Sequence, residues 1–290
     1  MNTEDKRCAD AGLIWVSHRK DAEWFMYSAK SYAKFARGFR GAVCVVPIQD
    51  TLQFEPICSE NHIQVLGVEE WKDKPFLWHM MIKCIADKIL RNCGRIFHMD
   101  SDAVFAQPVT PADWCVGDKI LLPYTPYDAF LKRPIIEGEM ESFMGLTGRK
   151  VDFSLGQYNW RFAVEFALGH RVERECMAWM PIVHHYEVYA KMRELLDTRF
   201  PEIKWDGHVR SGPNCHPQTF AEFNTLGAVA HKYFEDLYEW YNLEGRPYPF
   251  YGKVIQSWSH GGMDKKFDYG DQIKDKTIDT PRKLFRHLGL

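Results

Sequence analysis

Apolar and polar positions along the first hundred residues fall into a rhythm of strand, helix, strand. Leu13-Ile14-Trp15-Val16 is a short apolar run passing into the polar Ser17-His18-Arg19-Lys20-Asp21, which reads as a first strand and its loop. Asp21 stands where a helix cap is expected. Ala22 to Gly38 then mixes Trp24, Tyr27 and Phe35 with Ser28 and Ser31 before a glycine stop. Gly41 to Ile48 is apolar enough for a strand covered on both faces, and Ile63-Gln64-Val65-Leu66 predicts a third. After a turn around Pro75, Phe76 to Arg91 sets Leu77, Met80, Met81, Cys84, Ile85 and Ile89 on the buried side of a helix, with Gly94 as its breaker. Arg95 to Phe105 supplies the next strand. This order predicts parallel βαβ units and an α/β fold.

Past Gln107-Pro108-Val109-Thr110-Pro111 the pattern loosens. Lys119 to Pro123 predicts a strand, Arg133 to Gly156 a loop-dominated insertion, and Gln157 to Leu168 a helix. Ile182 to Phe200 reads as an amphipathic helix carrying His184, His185 and Tyr189. Trp205 to Gln218 reads as a loop and Thr219 to His231 as a helix. The tail from Pro247 contains Ser257-Trp258-Ser259-His260-Gly261-Gly262. No internal repeat or low-complexity tract divides the 290 residues, so a single domain over 1–290 is expected.

Composition narrows the classes. The chain is 46% hydrophobic, enough for a real core, and its formal net charge of −2 is not that of a polycationic nucleic-acid binder. A basic cluster near the end (Arg282, Lys283, Arg286 and His287) fits a solvated helix end equally well. Met1 to Asp10 lacks the apolar core of a secretory signal, and no apolar run approaches the ~18 residues of a membrane span. The eight cysteines contain no C-x-x-C pair; Cys44 and Cys84 sit in apolar segments. A cytoplasmic protein with reduced thiols is expected.

The chemistry concentrates at Arg95-Ile96-Phe97-His98-Met99-Asp100-Ser101-Asp102. An apolar strand ends in two carboxylates two residues apart, and in extended chain such positions face the same way. Two bare carboxylates repel, and a hard divalent cation whose shell is completed by phosphate oxygens removes the conflict. The alternative is a strand-to-loop turn capped by solvated aspartates.

The sequence resembles glycosyltransferases of the GT-A fold, in particular soluble bacterial and viral ones. The resemblance rests on the helix Trp71 to Leu90 leading into Phe97-His98-Met99-Asp100-Ser101-Asp102, on Met180-Pro181 with His184, and on Gln218-Thr219-Phe220-Ala221-Glu222-Phe223 heading a helix. It departs from the family pattern at Trp78 and His79, where glutamines are common, and at Ala221-Glu222-Phe223, where Ser-Glu-Tyr is usual. The resemblance implies a mixed, mostly parallel sheet flanked by helices. Residues 1–110 would form the half that holds a nucleotide-diphosphate sugar and a metal, and residues 111–290 the acceptor-side half. Asp100 and Asp102 would hold Mn²⁺ or Mg²⁺ against the diphosphate of the donor, a UDP-sugar by expectation, with Ser101 beside them and His260 as a candidate third ligand. Val16, Ser17, His18, Arg19 and Asp21 would line the base and ribose pocket. Lys83 is a candidate phosphate contact, although a solvated helix lysine is the more ordinary account. Glu222 is the candidate general base or acceptor-binding carboxylate. A glycan, lipid-linked or small hydroxyl acceptor is expected, and a hydroxymethylated pyrimidine in viral DNA is the alternative. Nucleotidyl transfer and a non-catalytic sugar-nucleotide-binding module remain as competing classes.

Overall fold

The first strand, β1 (Ala11–Val16), is buried at every position, as expected of a strand with helices on both of its faces. The computed structural model describes residues 10–130, 159–177, 179–211, 220–257, 262–269 and 272–290. After β1 come α1 (Ala22–Phe35), β2 (Gly41–Pro47), α2 (Thr51–Glu60), β3 (Gln64–Val68), α3 (Pro75–Lys83), α4 (Ala86–Ile89), β4 (Arg95–Met99) and β5 (Ala103–Phe105). Then follow β6 (Cys115–Val116), β7 (Lys119–Pro126), α5 (Asn159–Leu168), β8 (Arg174–Glu175), β9 (Ile182–His185) and α6 (Tyr186–Arg199). Last are α7 (Lys204–Ser211), α8 (Glu222–Tyr233), β10 (Tyr238–Asn242), β11 (Val254–Gln256) and α9 (Pro281–His287).

The main sheet has the order β3-β2-β1-β4-β9. β1 pairs in parallel with both β2 and β4, β2 with β3, and β9 runs antiparallel against β4. The expected mixed, mostly parallel sheet flanked by helices is therefore present. From β1 the chain builds to β2 and β3 on one side and then crosses to β4 on the other. Strand order thus reverses between β1 and β4, and such switch points leave a crevice at the carboxyl ends of the strands. A second sheet joins β10, β7 and β6, with β8 on β7, and a ribbon pairs β5 with β11.

β5 borrows part of its support from a helix. On one side it pairs antiparallel with β11. On the other, Ser28 Oγ of α1 donates to the Ala103 carbonyl at 2.6 Å, and Ser31 Oγ accepts from the Phe105 amide at 3.0 Å. These serines look misplaced on a buried helix face until the strand's unpaired backbone is counted. At the chain's end α9 packs on the outer face of α1, with Phe285 stacked on Tyr27 (4.4 Å) and edge-on to Trp24 (6.2 Å). Two of its basic residues are paired within the chain: Arg282 meets Asp264 and Glu23, and Lys283 meets Asp279. No helix among the described residues is long and apolar enough to cross a membrane.

Several expectations need correction. The helix expected over Phe76 to Arg91 ends at Lys83 and resumes as α4. The helix expected from Ile182 begins only at Tyr186, because Ile182–His185 is strand β9. There His184 faces Ile96 across the ladder, fully buried, and burial pushes its pKa down to about 3, so it is a neutral core residue. The loop expected from Trp205 contains α7, and α2 was not anticipated. Asp21 occupies the cap position of α1 but makes no side-chain cap hydrogen bond. The insertion expected over Arg133 to Gly156 lies outside the described residues.

The break after Lys83 has a structural clamp. Arg193 of α6 donates from Nη1 to the Cys84 carbonyl at 2.7 Å, and both of its terminal nitrogens meet the Asp87 carboxylate at 2.7 Å. The bidentate pair is largely buried, with side-chain exposures of 9% and 12%. Asp87→Ala leaves Arg193 buried beside a carbonyl without its counter-charge. It is expected to lower the unfolding free energy by about 3–5 kcal/mol, whereas adding Arg193→Met recovers most of that loss in urea titrations.

Candidate functional site

At the switch point the chain turns sharply from β4 to β5. The Ala103 amide donates to the Asp100 carbonyl at 3.2 Å, so Asp100, Ser101 and Asp102 form the bend at a strand tip. The bend is tied to the first strand by Ser101 Oγ, which donates to Ser17 Oγ at 2.9 Å, and to β11 by the Ser257 amide, which donates to the Asp102 carbonyl at 2.9 Å. The two carboxylates converge. Gln256 Nε2 at the end of β11 lies 3.3 Å from Asp100 Oδ2 and 3.2 Å from Asp102 Oδ1.

Lys83 and Glu222 complete the cluster. Because α3 ends at Lys83, the ammonium leaves the helix axis and reaches Asp100 Oδ1 at 3.4 Å and Glu222 Oε1 at 3.2 Å. Its side chain is 14% exposed, and Nζ also lies 4.6 Å from the centre of the Phe223 ring. The solvated-lysine account of Lys83 therefore fails. Burial pulls the ammonium's pKa down, but the charges of Asp100 and Glu222 more than offset this and hold it above the usual lysine value. Glu222 opens α8 and is 4% exposed, with Oε2 buried and lacking a hydrogen-bond partner among the described residues.

Three carboxylates against one ammonium give this group a formal charge of −2. Two converging carboxylates, with coordination positions left for phosphate oxygens and water, match the hard-ligand preference of Mg²⁺ or Mn²⁺. Among the described residues, no group of three or more His, Cys, Asp or Glu side chains is gathered to hold a metal unaided. His260 lies outside the described residues.

The first-strand residues are placed less directly. Val16 is a buried strand residue, and Ser17 acts as a strut for the acid-bearing bend. Arg19 is held by Asp50, its backbone amide at 3.0 Å and its Nε at 3.2 Å from the carboxylate. His18 Nε2 lies 3.5 Å from Glu70 Oε1. These contacts bind the loops beyond β1, β2 and β3 to one another, along the same sheet edge as Asp100. His79 links the two groups. Burial, then the charges of Lys83 and His18, push its pKa down to about 3, which keeps the imidazole neutral. Sequence reasoning missed Gln256, Asp50, Glu70 and His79. Only His79 carried a usable signal, four residues before Lys83 on the same helix face.

The start of α8 is anchored from β8. Asn224 Oδ1 accepts from the amides of Cys176 (2.6 Å) and Met177 (3.1 Å), and Glu175 Oε1 accepts from the Met177 amide at 2.8 Å. A Cβ at Gly227 would lie 2.5 Å from Cys176 Sγ, so only glycine allows this approach.

No family model matches this chain, and no curated protein matches it. Among solved structures, it is similar to 4-diphosphocytidyl-2C-methyl-D-erythritol synthase from Anaerococcus prevotii, with a TM-score of 0.38 and 10% identity over 73% of this chain and 85% of that one.

The α8 anchor has a pH signature. Burial pushes Glu175 up to about 7, against the lowering effect of the Met177 amide. An unfolded glutamate titrates near ~4.3, so between that value and 7 the folded chain holds a proton that the unfolded chain has lost. Stability should therefore fall as pH rises through that window and stay lower above it. Glu175→Gln removes the fall and should gain up to about 3 kcal/mol over the wild type at pH 8 in urea midpoints, while parallel profiles would contradict the assignment.

Proposed function

We propose that the chain is a metal-dependent glycosyltransferase of the GT-A type, moving a sugar from a nucleotide-diphosphate sugar, a UDP-sugar in the first instance, to an acceptor hydroxyl. The observation that carries this reading is the convergence of Asp100, Asp102, Lys83 and Glu222 at the β1/β4 switch point. It brings a pair of cation-binding acids, a phosphate-seeking ammonium and a buried carboxylate oxygen to one crevice.

The roles follow from chemistry. Asp100 and Asp102 would hold Mn²⁺ or Mg²⁺, which when bound offsets the charge growing on a departing diphosphate. Gln256 and the Ser17–Ser101 hydrogen bond keep the two acids aimed together. Lys83 is positioned to meet a phosphate oxygen as it does Asp100. Glu222 sits beside it with Oε2 unengaged among the described residues, in the position of a base. The acceptor oxygen bonds to the anomeric carbon, the bond from that carbon to the phosphate oxygen breaks, the nucleoside diphosphate leaves with the electron pair, and Glu222 takes the hydroxyl proton.

Product identity tests this reading. Incubation with a panel of UDP-sugars, Mn²⁺ and hydroxyl acceptors, followed by anion-exchange chromatography, should show nucleoside diphosphate release that stops on chelation. Glu222→Gln should cut transfer by roughly 10²–10⁴-fold while donor affinity is largely kept. Release of pyrophosphate from a nucleoside triphosphate would instead establish nucleotidyl transfer, and donor binding without turnover would establish a binding module.

A further inference from the structure

Two residues before Gln256, β11 contributes Val254 to the wall of a cleft of about 240 Å³. Positions i and i+2 of a strand share a face and lie about 7 Å apart. The cleft therefore opens on the same face as the amide that touches both acids. Its other walls include Trp179, Tyr248, Tyr251, Tyr269, Asp268 and Gln272.

This cleft is built into the site. The Ser257 amide holds the Asp102 carbonyl, and the Ser257 and Tyr269 hydroxyls are 3.2 Å apart, so one wall is two contacts from the acid-bearing bend. Across the cleft, Tyr248 donates its O–H to the Trp179 carbonyl at 2.7 Å and packs edge-on to Phe250, which leans on Trp114 in the core. The Trp179 backbone is thus fixed while the residue stays 39% exposed, and Tyr251 is 45% exposed. Neither exposure alone is unusual, but both residues line the same cavity.

The lining chemistry selects a ligand. Aromatic faces are electron-rich and attract the polarised C–H face of a sugar ring, while a carboxylate and an amide at the rim take up its hydroxyls. No lysine or arginine lines the cleft among the described residues, and its charged side chain is an acid, which opposes a phosphate backbone. We infer that the cleft is a subsite for a neutral sugar ring of the acceptor, seated on Trp179 and Tyr251 with its hydroxyls on Asp268 and Gln272. The acceptor assignment rests on the glycosyl-transfer reading; the sugar-binding assignment stands on the cleft itself.

Saturation-transfer NMR on the full chain tests it, with methyl glycosides of glucose, galactose, mannose, arabinose and N-acetylglucosamine as probes and deoxycytidine as the competing class. At least one glycoside should receive saturation at its ring C–H protons. The effect should drop several-fold in Trp179→Ala and in Tyr251→Ala, and survive in Trp179→Phe, which keeps an aromatic face. Far-UV circular dichroism checks that each variant folds. Glycoside binding should persist in Asp102→Ala, which separates the cleft from the metal chemistry. No transfer to any glycoside, equal transfer in Trp179→Ala, or binding of deoxycytidine alone would overturn the inference. Nucleoside diphosphate release without glycoside binding would also remove the cleft, while leaving the transfer reading intact.

Discussion

The site depends on one ammonium placed between carboxylates that would otherwise repel. Lys83 reaches Asp100, 17 residues further along the chain, and Glu222, 139 residues further. Without a cation there, the two acids of the bend and the one that opens α8 would stay apart or pull in solvent. With it, the bend after β4, the end of α3 and the start of α8 close on one point. The remaining excess of negative charge is what the proposed divalent cation would offset.

The scaffold explains why that point exists. A parallel sheet whose strand order reverses between β1 and β4 leaves its crevice beyond Val16 and Met99. Paired serines bridge the crevice at its base, and α1 serines hold β5 where the chain leaves it. The Arg193–Asp87 clamp ends α3 where Lys83 has to turn inward. Each is a polar group buried for a stated partner.

Much of this was legible in local pattern. Uninterrupted apolar runs marked β1, β2 and β4, and the two aspartates after Met99 stood out because they end such a run. Glu222 was visible as an acid opening a helix. What escaped depends on tertiary partners. The stop at Lys83 is enforced by an arginine over a hundred residues away, and Ile182–His185 is a strand because β4 offers it an edge, although a short apolar run cannot be told from helix by period alone. Helix α2 buries only Phe54 and Cys58, too few positions to announce it. Gln256 sits in an ordinary three-residue strand, and nothing in Val-Ile-Gln points to the acids it aligns. The buried state of Lys83 was invisible for the same reason.

On the proposed reading, Asp100 and Asp102 seat a divalent cation because the cluster carries uncompensated negative charge. Mn²⁺ titration followed by electron paramagnetic resonance measures this directly. One tight site is expected, which Asp102→Asn weakens by more than the ~10-fold loss typical of even an outer-sphere partner. Equal Mn²⁺ affinity in the wild type and Asp102→Asn would contradict it.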